Sequence, residues 1–169
     1  PLQQISSISE QMMGLVKNLL FRLRPADLDE LGLSENLKSM ITEWNSKHKD
    51  KRCFIEIAGE VDAIKPSVAV NLLRTVQESL TNIVKHASAT RAEVQLQYLP
   101  TSAEMVHLTI QDNGNLTVPE PLITPGNGLL GIRERVQALN GELNLSRSSL
   151  GGLKIEAIIP ITEDQVANE

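Results

Sequence analysis

The sequence predicts an α+β fold: a two-layer α/β sandwich in which a mixed, mostly antiparallel sheet carries helices on one face, preceded by a helical stalk. The first observation is residues 68–88, whose apolar side chains fall within one arc of about 100° on a helix. The second is a set of β-type runs separated by turn residues. These runs predict two antiparallel hairpins: Glu93–Leu99 with Met105–Gln111, and Glu142–Ser146 with Leu153–Ile159.

The composition is that of one folded domain. The chain has 169 residues, of which 41% are apolar and 22% charged, with a formal charge of −5. No run approaches the roughly 18 apolar residues that cross a bilayer, so we expect no membrane contact by these residues. The net acidity and the scarcity of aromatic side chains argue against nucleic-acid binding. The single cysteine, Cys53, excludes an intramolecular disulfide and fits a reducing compartment.

The first 24 residues predict a helix with one apolar seam. The seam residues recur at steps of three and four, the spacing of a coiled coil or helix pair: Ile5, Ile8, Met12, Leu15 and Leu19. We interpret this helix as a separate helical or dimerisation element, and the alternative is a helix lying on the domain's own core. Because the chain opens at Pro1 with neither an initiator methionine nor a signal peptide, we expect a fragment of a longer protein.

Two short elements come next along the chain. Residues 26–46 predict a helix capped by Ser34. Its apolar face consists of Leu37, Met40, Ile41 and Trp44. Cys53–Ile57 predicts a strand that follows the polar, basic loop Asn45–Arg52.

The remaining elements are a long helix, an irregular loop and a last helix. The helix at 68–88 should face the core with Ala69, Leu72, Leu73, Val76, Leu80, Ile83, Val84 and Ala87. Asn115–Pro125 contains three prolines and predicts a long irregular loop, a kind of segment that often carries function. Residues 129–139 predict a helix that stops before Gly141, which we expect to cap it.

Polar side chains cluster on the long helix opposite its apolar arc. Glu78, Asn82, Lys85 and His86 are spaced by four, three and one residues, so they share one face. Such a set can hold a hydrated Mg²⁺ ion and phosphate oxygens, because Mg²⁺ needs few protein oxygens when phosphates and waters complete its shell. The alternative is a solvated helix face with an i,i+4 pair.

Two glycine-containing motifs follow. Asp112-Asn113-Gly114 ends a strand and suits either a turn or the mouth of a ligand pocket. Residues 126–131 match G-x-G-x-x-G, but no strand precedes them, so the motif is not a dinucleotide-binding fingerprint. It is not a Walker A loop either, because it lacks the Lys-Ser/Thr pair of that loop. A glycine-rich loop that opens a helix is nevertheless a good anion site.

Taken in order, these motifs resemble the ATP-binding domain of sensor histidine kinases, within the gyrase/Hsp90/histidine-kinase/MutL ATPase superfamily. The resemblance to the N box is QESLTNIVKHA (Gln77–Ala87), to the D box QDNG (Gln111–Gly114), and to the G box GNGLLGIRERV (Gly126–Val136). LLFRLRPADLDELGL (Leu19–Leu33) resembles the second dimerisation helix and its exit in the class that signals to NarL-type response regulators.

The resemblance covers residues 2–161 and implies three parts. Residues 1–33 would be the remnant of the dimerisation and phosphotransfer region, 34–161 the catalytic ATP-binding domain, and 162–169 a polar tail. It also implies a homodimer through the N-terminal helix, a NarL-type response regulator as partner, and a parent sensor in a bacterial inner membrane with this portion facing the cytoplasm.

The resemblance further implies roles for the polar helix residues in binding ATP and Mg²⁺. Asn82 would ligate Mg²⁺. Glu78 would orient or deprotonate the attacking histidine, or position a water. Lys85 and His86 occupy positions that contact phosphate in the family.

The two later motifs would bind the rest of the nucleotide. Asp112 would accept a hydrogen bond from the adenine amino group, and Gly114 would pass close to the base. The lid hinge and the phosphate-binding amides would come from Gly126, Gly128, Leu130 and Gly131.

Two features depart from the family pattern. Leu116 stands where the D box usually has a second glycine, so it can crowd the nucleotide. The phosphoacceptor histidine of the family would lie upstream of Pro1, and none of His48, His86 and His107 suits that role. Two alternatives are an anti-sigma-factor-type serine kinase, which would not need Leu19–Leu33, and a degenerate, non-catalytic dimerisation and docking module.

Overall fold

The computed structural model describes residues 25–99, 104–115 and 127–162; the predicted N-terminal seam, Leu116 and Gly126 lie outside these ranges. The elements are α1 (Pro25–Lys47), β1 (Arg52–Gly59), a 3₁₀ turn (Val61–Ala63), α2 (Pro66–His86), β2 (Arg91–Leu99), β3 (Met105–Asp112), α3 (Asn127–Ala138), β4 (Glu142–Arg147) and β5 (Leu153–Pro160). Within these ranges, no helix has the length and apolar character needed to cross a membrane.

The strands form one mixed sheet in the order β1-β2-β3-β5-β4. Both predicted hairpins are confirmed, since β2 pairs with β3 and β4 with β5 in antiparallel register. β3 and β5 are also antiparallel, whereas β1 and β2 are parallel. The parallel pair follows from the connection, because the chain between β1 and β2 contains α2, and a crossover of this kind returns the chain in the same direction.

The helices cover one face of the sheet, as an α+β sandwich requires. Alternate residues of the central strands are buried on that face: Val94, Leu96, Tyr98, Val106, Leu108, Ile110, Ile155, Ala157 and Ile159. The apolar arc of α2 covers them with Ala69, Leu72, Leu73, Val76, Leu80 and Ile83. The expectation that Val84 faces the core is wrong: it lies at the edge of the arc and is 38% exposed.

The helix predicted at 26–46 extends over Pro25–Lys47 and changes direction at Gly32, whose backbone is at φ 74° and ψ 173°. Ser34 does not cap the helix with its own side chain. The carboxylate of Asp62 does so instead, because Oδ1 accepts the Ser34 N–H at 2.8 Å and Oδ2 accepts the Ser34 hydroxyl at 2.6 Å. Leu28 and Leu33 are buried in the same core, so α1 continues across the domain boundary predicted between residues 33 and 34. That domain boundary stays a prediction.

The end of α3 differs from the expected glycine cap. Asn140, at φ 56°, takes the left-handed position. Its N–H donates to Gln137 O and that of Gly141 to Val136 O, both at 2.9 Å, which is a Schellman ending. Glycine is needed at 141 for another reason: a Cβ there would lie 2.8 Å from the carbonyl oxygen of Ile158 on β5.

Candidate functional site

A cavity of about 810 Å³ opens between the second half of α2, the end of β3, the first turn of α3 and the start of β5. It brings together six of the residues singled out in the sequence: Glu78, Asn82, Lys85, His86, Asp112 and Gly128. Three motifs that are separated by up to about fifty residues of chain therefore line one space.

The first turn of α3 lies directly on the polar face of α2. A Cβ at Gly128 would stand 2.7 Å from Oε1 of Glu78 and 2.8 Å from Oδ1 of Asn82, so only glycine lets the two helices approach this closely without moving those side chains. The first N–H groups of a helix have no partner within it and favour anions. The start of α3 therefore places backbone N–H donors next to Glu78 and Asn82.

The carboxamide of Asn82 is the side chain best suited to a ligand at this end. Its Nδ2 atom is buried and has no hydrogen-bond partner among the described residues, a costly state that a bound phosphate oxygen would relieve. In the described ranges, no group of three or more His, Cys, Asp and Glu side chains is placed to hold a metal ion. A Mg²⁺ ion here would therefore rely on Asn82, phosphate oxygens and water, a set that fits this ion.

Lys85 and His86 occupy the last turn of α2 and line the same cavity while remaining exposed. Cationic side chains are favourable at a helix C-terminus because they interact with the helix dipole, so this position suits Lys85 and His86 without a further partner. Their exposed side chains bring nitrogen-containing groups to the rim of the cavity.

Asp112 forms the opposite end of the cavity and is only 4% exposed. Its Oδ1 atom accepts the N–H of Gly114 at 2.7 Å. Burial raises the pKa of the Asp112 carboxyl above its usual value, and the N–H groups of Gly114 and Leu153 partly oppose that rise. Asp112 is thus both a turn residue and a buried acceptor at the cavity, so the two interpretations of the Asp-Asn-Gly motif are compatible.

The neighbouring residues fix the Asp112 turn to the end of α2. The side-chain oxygen of Asn113 accepts the N–H groups of Thr90 at 2.9 Å and Arg91 at 2.8 Å. A Cβ at Gly114 would overlap the carbonyl group of Ala87, so this approach requires glycine. The turn is therefore in direct contact with both the C-terminal end of α2 and the start of β2.

The apolar residues that line the cavity were not predicted from the sequence as part of the site. Its lining includes Ile83, Ile110, Leu129, Leu153 and Ile155. The place of Ile110 beside Asp112 could have been predicted, because the two residues are two positions apart on β3 and therefore lie on the same face of the sheet. Ile155 stands opposite Ile110 in the β3–β5 register, so the two form an aliphatic floor beside the carboxylate.

Four other predicted site residues are not among those that line the cavity: Gly114, which lies between the lining residues Asp112 and Asn115, Gly126, Leu130 and Gly131. Leu130 is 46% exposed. Gly131 lies within α3 beyond its first four residues, so its N–H is not among those that a helix leaves without a partner. Gly126 lies outside the described residues. Their roles stay predictions.

Comparisons with known proteins find one family model that matches more than half of the chain. Residues 67–163 match the family described as "Histidine kinase-, DNA gyrase B-, and HSP90-like ATPase". The signal transduction histidine-protein kinase/phosphatase UhpB of Salmonella typhimurium is 34% identical over 158 residues, which are 94% of this chain and 30% of that protein. DegS of Brevibacillus brevis, another signal transduction histidine-protein kinase/phosphatase, is 28% identical over 97% of this chain and 42% of its own length.

Solved structures show the same fold. The blue-light activated histidine kinase EL346 of Erythrobacter litoralis superposes with a TM-score of 0.62 at 29% identity, over 94% of this chain and 49% of that chain. The ATP-binding domain of PrrB from Mycobacterium tuberculosis superposes with a TM-score of 0.57 at 22% identity, over 75% of this chain and 91% of that chain. The chain spans less than half the length of the curated relatives named above.

Proposed function

Since the chain belongs to the histidine kinase-, DNA gyrase B- and HSP90-like ATPases and is the ATP-binding domain of a sensor histidine kinase, we propose that it binds Mg²⁺-ATP and donates the γ-phosphoryl group to a histidine outside residues 1–169. The observation that carries the proposal is the convergence of the α2 polar face, the start of α3 and Asp112 on one cavity. Each alone has another explanation; together they form a nucleotide site.

The adenine would occupy the Asp112 end. A buried carboxylate that already accepts one backbone N–H has further lone pairs, and the exocyclic amino group of adenine is a matching donor. Ile110 and Ile155 provide an apolar surface for the ring beside that carboxylate. This arrangement, a mostly apolar pocket with few oriented polar groups, is typical of small-molecule sites.

The phosphates would extend along α2 toward Glu78. Lys85, His86, the free N–H groups of α3 and the unpartnered Nδ2 of Asn82 are all donors along that path. A Mg²⁺ ion held at Asn82 would neutralise part of the phosphate charge. Phosphoryl transfer depends mainly on positioning and charge stabilisation, so this small set of groups is chemically sufficient.

Glu78 would act at the far end, where the acceptor enters. In the transfer, a bond forms between an acceptor imidazole nitrogen and the γ-phosphorus, while the bond from that phosphorus to the β–γ bridging oxygen breaks and ADP leaves. Glu78 would orient the imidazole, or take its proton, through the carboxylate that borders Gly128.

The wider context of the domain is part of the same proposal. We expect a parent sensor of the bacterial inner membrane that forms a homodimer through the N-terminal helix and passes its phosphoryl group to a NarL-type response regulator. The names of two relatives support the signalling part of this proposal, because UhpB and DegS are each called a signal transduction histidine-protein kinase/phosphatase.

Calorimetric titration of ATP, with and without Mg²⁺, tests the proposal on this chain. We expect Mg²⁺-dependent binding that Asn82→Ala abolishes. The matched control is Asn71→Ala on the same helix, since the Asn71 side chain donates to the carbonyl of Ser67 and is not among the residues that line the cavity. Absence of ATP binding by the wild-type chain, or equal affinities in the presence of Mg²⁺ for wild type and Asn82→Ala, would contradict the proposal.

A further inference from the structure

The connection between β4 and β5 begins with a buried polar side chain, that of Ser148, which is only 4% exposed. The N–H of Ser148 donates to the carbonyl of Gly152 at 2.8 Å, and its own carbonyl accepts the N–H of Gly151 at 3.0 Å. The hydroxyl oxygen accepts the N–H of Leu150 at 2.9 Å. The turn is therefore closed around Ser148, whose backbone and side chain both bond to the residues that follow it.

The same hydroxyl joins the turn to β3. Ser148 Oγ donates to Oε1 of Gln111 at 3.1 Å. Nε2 of Gln111 donates to the carboxylate of Glu93 on β2 at 2.9 Å, and Arg91 holds that carboxylate through Nε and Nη2, at 3.0 and 2.7 Å. Because a carboxylate only accepts, the amide nitrogen of Gln111 must face Glu93, which leaves the amide oxygen for Ser148. Both the donor and the acceptor role of the Ser148 hydroxyl are thus fixed.

The turn also reaches Asp112, the residue after Gln111. Consecutive side chains of a strand point to opposite faces of the sheet, so Gln111 and Asp112 offer the turn two attachment points on the end of β3. The N–H of Gly152 donates to the Asp112 carbonyl at 3.1 Å, and a Cβ on Gly152 would overlap Oδ1 of Asp112. A closed ring of contacts therefore runs from Gln111 through Ser148 and Gly152 to Asp112.

This ring fixes a carboxylate that would otherwise have to be ordered when the ligand binds, and such ordering costs affinity. We propose that Ser148, together with Gln111, is a positioning residue for nucleotide recognition: it holds Gly152 on the end of β3, so that the Asp112 carboxylate stays directed at the 6-amino group of adenine. Neither Ser148 nor Gln111 is among the residues that line the cavity, so both act through Asp112. The inference rests on the proposed function, which assigns adenine to the Asp112 end.

The test compares two nucleotides that differ only in the group that Asp112 would recognise. Purine riboside 5′-triphosphate is ATP without the 6-amino group, and it keeps the purine ring and the phosphates. We expect Ser148→Ala to lower the affinity for Mg²⁺-ATP by about three- to tenfold, the effect of one hydrogen bond, and to change the affinity for Mg²⁺-purine riboside triphosphate by less than about twofold. A role in turn stability alone would lower both affinities equally.

Two further variants complete the calorimetric test. Ser149→Ala is the matched control and should keep both affinities, because Ser149 is exposed and its hydroxyl lies 3.5 Å from Oε1 of Gln111, too far for a strong hydrogen bond. Gln111→Leu removes the Ser148 bond from the strand side, so it should give the same loss of preference for ATP. The Ser148→Ala/Gln111→Leu double variant should lose no more ATP affinity than either single variant, since all three lack the same bond.

Urea denaturation first establishes that each variant is folded, and Gln111→Leu decides the question if Ser148→Ala is not. Equal losses for the two nucleotides, or a ratio of the two affinities that stays at the wild-type value, would overturn the inference alone. A wild-type chain that binds neither nucleotide would overturn the proposed function, and one that binds both equally would overturn the assignment of adenine to Asp112. The inference would fall with either of these last two results.

Discussion

Gly152 lies against Asp112, and its N–H donates to the Asp112 carbonyl at 3.1 Å. A Cβ at Gly152 would overlap Oδ1 of Asp112 and lie 2.7 Å from the backbone nitrogen of Gly114. The connection between β4 and β5 therefore packs behind the Asp112 end of the cavity. This contact links two parts of the chain forty residues apart and fixes the carboxylate from behind.

Replacing Gly152 with alanine should weaken nucleotide binding and lower stability together. The added methyl group displaces the Asp112 carboxylate, and overpacking of a closed site costs about 1–3 kcal/mol. Calorimetric ATP affinity and urea denaturation measure the two effects. Ser149→Ala in the same connection is the control, since Ser149 is exposed; a Gly152→Ala protein that matches it in both assays would contradict the role of this contact.

Asp112→Asn should weaken ATP binding without lowering the stability of the domain at pH 7. Burial raises the pKa of Asp112 in the folded state, so ionising this carboxyl lowers the free energy of unfolding. The loss is absent at pH values below the ordinary pKa of the group, and it appears as the pH rises through the raised pKa. At pH 7 the asparagine variant should therefore be no less stable than wild type, and the difference should shrink as the pH falls toward about 4. ATP affinity should fall about tenfold or more, because a charge-assisted acceptor is lost.

Denaturation curves across that pH range, with ATP titrations at pH 7, check both halves of this expectation. A variant that loses stability at pH 7 and keeps wild-type affinity for ATP would show that Asp112 is a turn residue only.

Asp62→Ala should destabilise the domain without changing ATP affinity. The Asp62 carboxylate accepts both the N–H and the hydroxyl of Ser34, and losing such a cap costs about 1–2 kcal/mol. The cavity lies elsewhere in the fold, so the nucleotide site should persist. Asp50→Ala is the comparison. Asp50 forms an ion pair with Lys51 in which the aspartate is exposed, so its loss should lower the free energy of unfolding by less than about 1 kcal/mol. Equal unfolding free energies for the two variants would contradict the capping role.

Local periodicity was enough to predict most of the fold, because helix α2, both hairpins and the alternating strands are specified by nearby residues. Features that depend on distant contacts were missed. The cap on α1 comes from Asp62, 28 residues away from Ser34, and the glycine at 141 is required by the approach of Ile158 on β5. Neither contact leaves a periodic signal in the sequence.

The candidate site divides in the same way. Glu78 and Asn82 were singled out because their spacing places them on one polar face of a helix, and Asp112 because it begins an Asp-Asn-Gly motif at the end of a strand. Ile110 and Ile155 were missed because an apolar cavity wall has the same composition as a core. Gly152 was missed because its contact with Asp112 arises only from packing between elements.

Gly128→Ala should impair the site while leaving the domain folded. Its Cβ would lie 2.7–2.9 Å from the polar ends of Glu78 and Asn82, which are flexible and can move away. Stability should therefore stay within about 1 kcal/mol of wild type, since alanine also favours the helix. Mg²⁺-dependent ATP binding, measured by calorimetry, should weaken because Asn82 is displaced. Unchanged Mg²⁺-ATP affinity would contradict the assignment of Gly128 to the phosphate end.

Gly131→Ala is the matched change one turn later, and it should have the opposite result. Its Cβ would meet Arg135 at 3.5 Å, an ordinary contact, and glycine in a helix interior costs up to about 1 kcal/mol relative to alanine. The variant should therefore unfold at higher temperature and keep its affinity for Mg²⁺-ATP. A loss of Mg²⁺-ATP affinity comparable to that of Gly128→Ala would instead mean that residue 131 works as a backbone hinge or phosphate contact. The space at residue 131 admits a methyl group, so only a role of the backbone itself would require glycine there.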